Sequence, residues 1–421
     1  MDRTTPTRGS KLTLAIFVDQ VFWYDGKHYS TDEAFVKFVQ SFCPYVEKVV
    51  FCGRLSPERK TERYVLDGVK SEFYALPFYA DLYSVSRHGF SITKRVYSAL
   101  TDALKRWDLV WLCIPHPLAL IFVYLCKKYQ KPFFMLVRQN LVEQVRHRTQ
   151  GMKRTVSLVL VYLLEYWFQG LAARYVTFCK GHEMYVKYKK RTTAPVFETA
   201  YSLLSRAELQ RFRTQKKHQD EHVIKILCVG RLDPEKGHGY LIEALAALCD
   251  SLVEKLELHV VGSGRMQASL EKHAIALNVN ESIHFHGYVT HGEALFDLYR
   301  AATYFVLPSL MGERIPLVLF EAMAFGVPVV ATKVGGIPYL FRSGEDCLLV
   351  EPHKADQIAQ AVTALHQDRA LRSKVVEAGY MTVMHHTLEE ERDRMLRVLR
   401  DYYIWPDYEG LSNAQGECSG S

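Results

Sequence analysis

The chain has 421 residues, 48% of them apolar and 24% charged, with a formal net charge of +7. That is an ordinary soluble globular composition, long enough for about two to three domains. Nine cysteines form no CxxC pair and mostly lie in apolar runs such as "LVWLCI" and "KILCVG", which argues against a disulfide framework or a cysteine zinc site and for reduced core thiols in a reducing compartment.

The N-terminal "MDRTTPTRGSKLTLAIFVD" has no signal-peptide pattern, and its short apolar run ending at Asp19 reads as a first strand. Further strands are expected at "KVVFCG", "LVWLCI", "PFFMLV" and "RYVTFC", with helices at "TDEAFVKFVQSF" and "PLALIFVYLCKKY". The most apolar stretch, "VSLVLVYLLEYWFQGLAA" from Val156 to Ala173, is interrupted by Glu165 and Gln169. A bilayer span needs about 20 clean apolar residues, so a buried or surface-docked helix is expected there, and a cytoplasmic protein. The polar run Gln210 to His222 reads as a loop. Beyond it, strands are expected at "VIKILCVG", "KLELHVVG", "SIHFHG", "TYFVLPS", "PVVAT" and "CLLVEP", with helices between. Strand–helix alternation in two blocks predicts an α/β fold: two doubly wound, Rossmann-like domains of parallel sheet with a cleft between them. The expected bounds are residues 1–200 and 201–385, then a helix-bearing segment 386–408 and a disordered tail 409–421.

The charge is uneven. Residues 1–200 hold 30 Lys+Arg against 17 Asp+Glu, and the remainder holds 23 against 29. The basic half is either a solvated surface or a face toward something anionic: a membrane, a lipid phosphate or nucleic acid.

Four stretches carry candidate chemistry. In "VGRLDPEKG", Gly230 allows a tight exit from a strand, and Arg231 and Lys236 stand at the C-terminal edge of a parallel sheet, where doubly wound folds bind ligands. Two fixed cations there suit a diphosphate; two surface basics in a loop is the other reading. In "VVGSGRM", Gly262 and Gly264 follow a strand and suit close backbone approach to a ligand, or a plain turn. In "GERIPLVLFEAMAFG", Pro316 suits a helix start, so Glu313 precedes the helix and Glu321 lies about one and a half turns into it. The helix N-terminus is an anion site. Glu321, among Leu319, Phe320, Ala322 and Met323, needs a hydrogen-bonding partner. That partner is a ligand's ribose diol, or a core arginine or backbone group. Glu313 is placed for the polar group being transferred, or is a solvated loop acid. "KVGGIPYLF" makes another backbone-lined corner.

Together, "VGRLDPEKG", "FHGYV" and "VLPSLMGERIPLVLFEAMAFGVPVVATKVGGIPYLF" resemble the family-4 (group 1) retaining glycosyltransferases of the GT-B fold, strongly over about 223–365 and architecturally over the first 200 residues. The resemblance implies that Arg231 and Lys236 bind the donor diphosphate, Glu321 the ribose and Glu313 the sugar hydroxyls. It puts backbone at Gly287, Tyr288 and Val289 beside the base and the backbone from Ile315 through Pro316 and Leu317 to Val318 at phosphate and sugar oxygens. It implies a final helix, about Leu388 to Tyr403, crossing back to the N-terminal domain. There are departures. Arg314 stands where the family usually has Gly, the first strand lacks a following Gly-Gly, and Arg138 takes the place of a strand-end His near the reacting sugar, with His116 the other candidate.

Neutralising a diphosphate leaving group needs fixed cations and a helix dipole, and no Asp-x-Asp occurs in the chain, so no essential metal and no cofactor beyond the nucleotide-sugar donor are expected. The resemblance implies a retaining transfer in which the leaving phosphate takes the acceptor proton. The acceptor is expected to be a glycan or lipid-linked hydroxyl, as in polysaccharide or glycolipid synthesis. The basic, aromatic "EMYVKYKKR" and the apolar 156–168 stretch point to an anionic membrane surface as a further partner. Other readings are a nucleotide-sugar 2-epimerase or polymerising transferase of the same fold, and a catalytically silent nucleotide-sugar scaffold. A nucleic-acid role rests on the basic half alone.

Overall fold

The computed structural model describes residues 12–79, 82–148, 151–190, 192–214, 223–313 and 315–403. Arg314, most of the polar run before residue 223, Trp405-Pro406 and the 409–421 tail lie outside the described residues. The chain divides into two units: residues up to Thr199 with those from Glu391 onward, and Ala200–Glu390.

Among the described residues the first unit holds nine strands: β1 (Thr13–Tyr24), β2 (Tyr29–Thr31), β3 (Lys48–Leu55), β4 (Tyr64–Val65), β5 (Ser71–Leu76), β6 (Leu109–Ile114), β7 (Phe133–Val137), β8 (Thr177–Lys180) and β9 (Val196–Thr199). Seven run parallel in the order β5-β3-β1-β6-β7-β8-β9, while β2 pairs antiparallel with the far end of β1 and β4 with β2. The strands evident in the sequence are the ones covered on both faces, such as β6 and β7, in which every residue is buried. The others (β2, β4, β5 and β9) are short or carry polar residues, as in "SEFYAL" and "VFET". The expected helix at residues 31–42 is only Phe35–Gln40; it has no side-chain N-cap, and it buries Phe35, Val36, Phe38 and Val39. Phe35 and Phe38 meet the fully buried Trp111 edge-on at 5.9 and 6.2 Å between ring centroids.

The helix Gly151–Ala172 corrects one expectation. Residues Arg154–Ala172 are long and apolar enough to cross a membrane. Glu165 and Gln169 do not interrupt that run, because both are buried on the protein-facing side, where Glu165 pairs with Lys187. Phe168 and Ala172 join the core from the same side. The opposite side, at helical spacing, is apolar and exposed: Val156, Val159, Leu160, Leu163, Tyr166 and Trp167.

The second unit is a six-stranded parallel sheet: β10 (Val223–Val229), β11 (Lys255–Val261), β12 (Ile283–Gly287), β13 (Tyr304–Leu307), β14 (Val329–Thr332) and β15 (Leu348–Val350). Its order is β12-β11-β10-β13-β14-β15, the doubly wound arrangement, with the switch point between β10 and β13. A second correction falls just before it. Residues 210–214 are not loop but the end of a helix, Arg206–Thr214, which buries Leu209 and stacks Phe212 on Phe325 at 4.2 Å. A charged surface face hides the two buried residues from a composition-based reading.

The last helix, Leu388–Tyr402, returns the chain to the first unit. There Thr199 Oγ1 donates to the buried Glu391 carboxylate at 3.2 Å, Arg392 reaches Ser41 O, and the Tyr403 hydroxyl donates to Phe133 O at 2.7 Å.

Candidate active site

The switch point of the second unit brings three loops together, and glycine is what lets them close. Gly262 leaves β11 at φ +138°, where a Cβ would lie 1.9 Å from Gly230 O. A Cβ on Gly264 would lie 2.4 Å from Leu232 O, and one on Gly237, at φ +67°, 2.1 Å from Pro308 O. The two-glycine stretch after β11 therefore serves loop-on-loop packing. Gly335 works the same way: a Cβ there would stand 1.8 Å from Glu313 O, and the Gly336 N–H donates to that oxygen at 2.6 Å. The Gly-Gly corner is thus the floor on which the Glu313 backbone rests.

Glu313 is buried. Its Oε1 accepts from Lys236 Nζ and from Ser309 Oγ, both at 2.5 Å. Thr332 Oγ1 fixes the same turn by donating to Ser309 O. So Lys236 and Glu313, 77 residues apart, form a charge-assisted pair at the C-terminal edge of β10 and β13. An ammonium has three N–H groups, and Glu313 takes one of them. Arg231 stands differently. Its side chain is 70% exposed and is held by acids of its own loop, Asp233 at 2.7 Å and Glu235 at 3.3 Å. His238, directly after Gly237, is buried, and among the described residues neither ring nitrogen has a hydrogen bond; burial first, then the Lys236 charge, pushes it down to about 4.

Pro316 is the residue before the helix Leu317–Ala324, one position earlier than expected, and Leu317 and Val318 open the first turn. The Leu319 N–H is already used, donating to Pro316 O at 3.1 Å. Ile315 packs into the core. Glu321, buried in this helix, is met among the described residues by two side chains and by no arginine: Tyr299 Oη donates to Oε2 at 2.8 Å, and His291 Nε2 lies 3.3 Å from Oε1. Burial, then the Glu321 charge, raises the Tyr299 phenol well above its ordinary range, so it stays a donor. Ser309, Tyr299 and His291 are invisible to sequence reasoning because nothing local marks them; the fold alone brings them to the two glutamates. Gly287 ends β12 at φ +64°, Tyr288 is 70% exposed, and Val289 packs against the core.

The first unit's candidates sit at its own sheet edge. His116 follows β6 and is 1% exposed. Its Nδ1 accepts the Leu118 N–H at 3.2 Å, capping helix Pro117–Lys128, so the proton is on Nε2, which faces Asp19 Oδ2 and Tyr79 Oη, each at 3.3 Å. Both ring nitrogens are therefore engaged, which is a positioning role and not that of a free base. Burial alone would raise the Asp19 carboxyl; the His116 bond and charge and the Arg54 guanidinium outweigh it and hold Asp19 well below the usual range. Arg138, after β7, bonds Glu33 at 3.1 Å and lies 4.1 Å over the Phe35 ring.

Residues 210–382 match the family model described as "Glycosyl transferases group 1". Among curated relatives, the D-inositol 3-phosphate glycosyltransferase 1 of Catenulispora acidiphila is 36% identical over 183 residues, 42% of this chain and 43% of that protein. The chain thus spans less than half the length of the curated relatives it matches first. Two solved structures extend the likeness over 93% of the chain. Sucrose-phosphate synthase from Thermosynechococcus elongatus superposes with a TM-score of 0.64 at 19% identity over 99% of its own length. Anabaena Alr3699/HepE in complex with UDP and glucose gives 0.61 at 13% over 100%. The fold is GT-B, two Rossmann-like units on one chain. Within it, the group 1 match covers the unit that carries Lys236, Glu313 and Glu321.

Proposed function

We propose that the protein is a retaining glycosyltransferase that moves a sugar from a nucleoside-diphosphate donor to a glycan or lipid-linked hydroxyl. The observation that supports it best is the part-buried Lys236–Glu313 pair at the switch point, with Glu321 in the helix that follows. Lys236, the exposed Arg231 side chain and the first turn of helix Leu317–Ala324 neutralise the diphosphate as it leaves. Glu313 orients sugar hydroxyls, and Glu321 takes the ribose diol in the pocket that Tyr299 and His291 shape. The bond between the anomeric carbon and the diphosphate oxygen breaks, the bond to the acceptor oxygen forms on the same face, and the acceptor proton passes to the leaving phosphate. No residue serves as nucleophile, and no metal is required. The expected result with an α-linked donor is an α-linked product, read from the anomeric proton coupling by NMR; a β product contradicts retention.

The acceptor side of the same reading is an anionic membrane surface. The outward face of helix Gly151–Ala172 is an apolar stripe, with Arg154 and Arg174 exposed at its two ends and an excess of cations over the first 200 residues. A stripe of that kind, bracketed by cations, suits the headgroup–acyl boundary of anionic lipid. Full-length protein is expected to co-sediment with 3:1 phosphatidylcholine–phosphatidylglycerol vesicles at low salt, and Leu163→Glu/Trp167→Glu to lose at least about tenfold in affinity. Equal sedimentation of the two proteins, or none with the wild type, sinks this part of the reading.

A further inference from the structure

Strands β11 and β12 each carry two ligating side chains spaced by two: Glu257-x-His259 and His284-x-His286. Residues two apart in a strand share a face, and the parallel register sets His259 opposite His284, so all four gather on one face at the edge of the sheet. One donor atom from each of Glu257, His259 and His284 lies within 4.8 Å of the other two. The His259 ring stacks on His284 at 4.9 Å and on His286 at 5.2 Å. His259 Nδ1 and His286 Nε2 are 2.9 Å apart. His259 Nε2 is buried and lies 3.5 Å from Glu257 Oε2.

An exposed sheet edge tolerates polar side chains, and that would explain one or two of these. It does not explain one imidazole stacked on two others, which repel one another once protonated, with a carboxylate on the same face. Imidazole and carboxylate are both metal-ligating groups, and Lys255 Nζ donates to Glu257 Oε1 at 2.8 Å, on the oxygen away from His259.

We propose that Glu257, His259 and His284 bind a borderline divalent transition-metal ion, for which Zn²⁺ is the best match to a two-imidazole, one-carboxylate donor set. His286 is the positioning residue: it accepts from His259 Nδ1–H and so leaves Nε2 free to ligate. The exposed His284 and His286 side chains give the ion its entry, and a water completes the coordination. The ion ties the edge strand β12 to β11. β12 ends at Gly287, whose carbonyl accepts the Gly262 N–H at 2.7 Å, and beyond it comes His291, which meets Glu321. The site is a clamp on the strand pair that leads into the candidate donor loops, and it takes no part in bond breaking.

The test uses the full chain stripped with EDTA and exchanged into EDTA-free buffer at pH 7.5. Calorimetric titration with ZnCl₂ is expected to show one equivalent bound and a rise in Tm that EDTA reverses. His259→Ala/His284→Ala is expected to abolish the equivalent, and His286→Ala to weaken it about tenfold. Co²⁺ in place of Zn²⁺ should give tetrahedral d–d bands without a thiolate charge-transfer band. Three results overturn the proposal: no saturable equivalent, binding unchanged in the double variant, or a thiolate band, which puts the metal on cysteine. If the double variant fails to fold, Glu257→Gln, which keeps the side chain's shape, replaces it and must lose at least about tenfold in affinity.

Discussion

Lys236→Met is expected to lower kcat for sugar transfer by about 10²–10³-fold, the usual cost of removing one preorganised group that stabilises developing negative charge. The same change strands a buried carboxylate, because Lys236 is one of two donors to Glu313 Oε1. Breaking one side of such a pair costs about 3 kcal/mol of stability, and removing both sides is close to neutral. Lys236→Met/Glu313→Gln is therefore expected to recover most of the lost stability, since Gln at 313 still accepts from Ser309, while the rate stays low. Parallel measurement of kcat and Tm on the two variants separates catalysis from scaffolding. A double variant that regains wild-type rate along with its stability would show that Lys236 only holds Glu313 in place.

Glu321→Ala is expected to weaken nucleoside-diphosphate binding by about 10²-fold or more, since two hydrogen bonds to a carboxylate, at about 1.5–3 kcal/mol each, are lost together. It also leaves the buried Tyr299 hydroxyl without its acceptor, at about 1–3 kcal/mol in stability. Tyr299→Phe provides the contrast. It removes the same internal bond but keeps the carboxylate, so the Kd should change by less than about tenfold. Equal losses in the two variants would assign Glu321 to the interior of the fold and not to a ligand.

The second unit is largely legible from its residues because every strand is parallel and the central ones, β13 and β14, are wholly buried, so most appear as short apolar runs ending at a turn. The first unit is less so. β5 and β9 carry polar residues, and β2 and β4 add two- and three-residue pairings that no pattern announces. In the candidate site, the 77-residue separation of Lys236 and Glu313 is bridged by the order of strands, which a motif conveys and a propensity does not. The glycines are a different lesson. Gly262, Gly264 and Gly335 suggest room for a ligand, yet the space beside each is filled by another loop's carbonyl oxygen. Likewise, Glu165 and Gln169 break the apolar run of residues 156–173 only on paper, because helical geometry turns both toward the protein.

The most direct measurement is calorimetry of UDP, GDP, ADP and their common sugar derivatives on the wild type and Glu321→Ala, with thermal shift alongside. One nucleotide bound at micromolar Kd by the wild type and lost by the variant is the predicted result, and it identifies the base. Failure of every nucleotide to bind at millimolar concentration, or equal binding to both proteins, contradicts a nucleotide-sugar site at Lys236, Glu313 and Glu321.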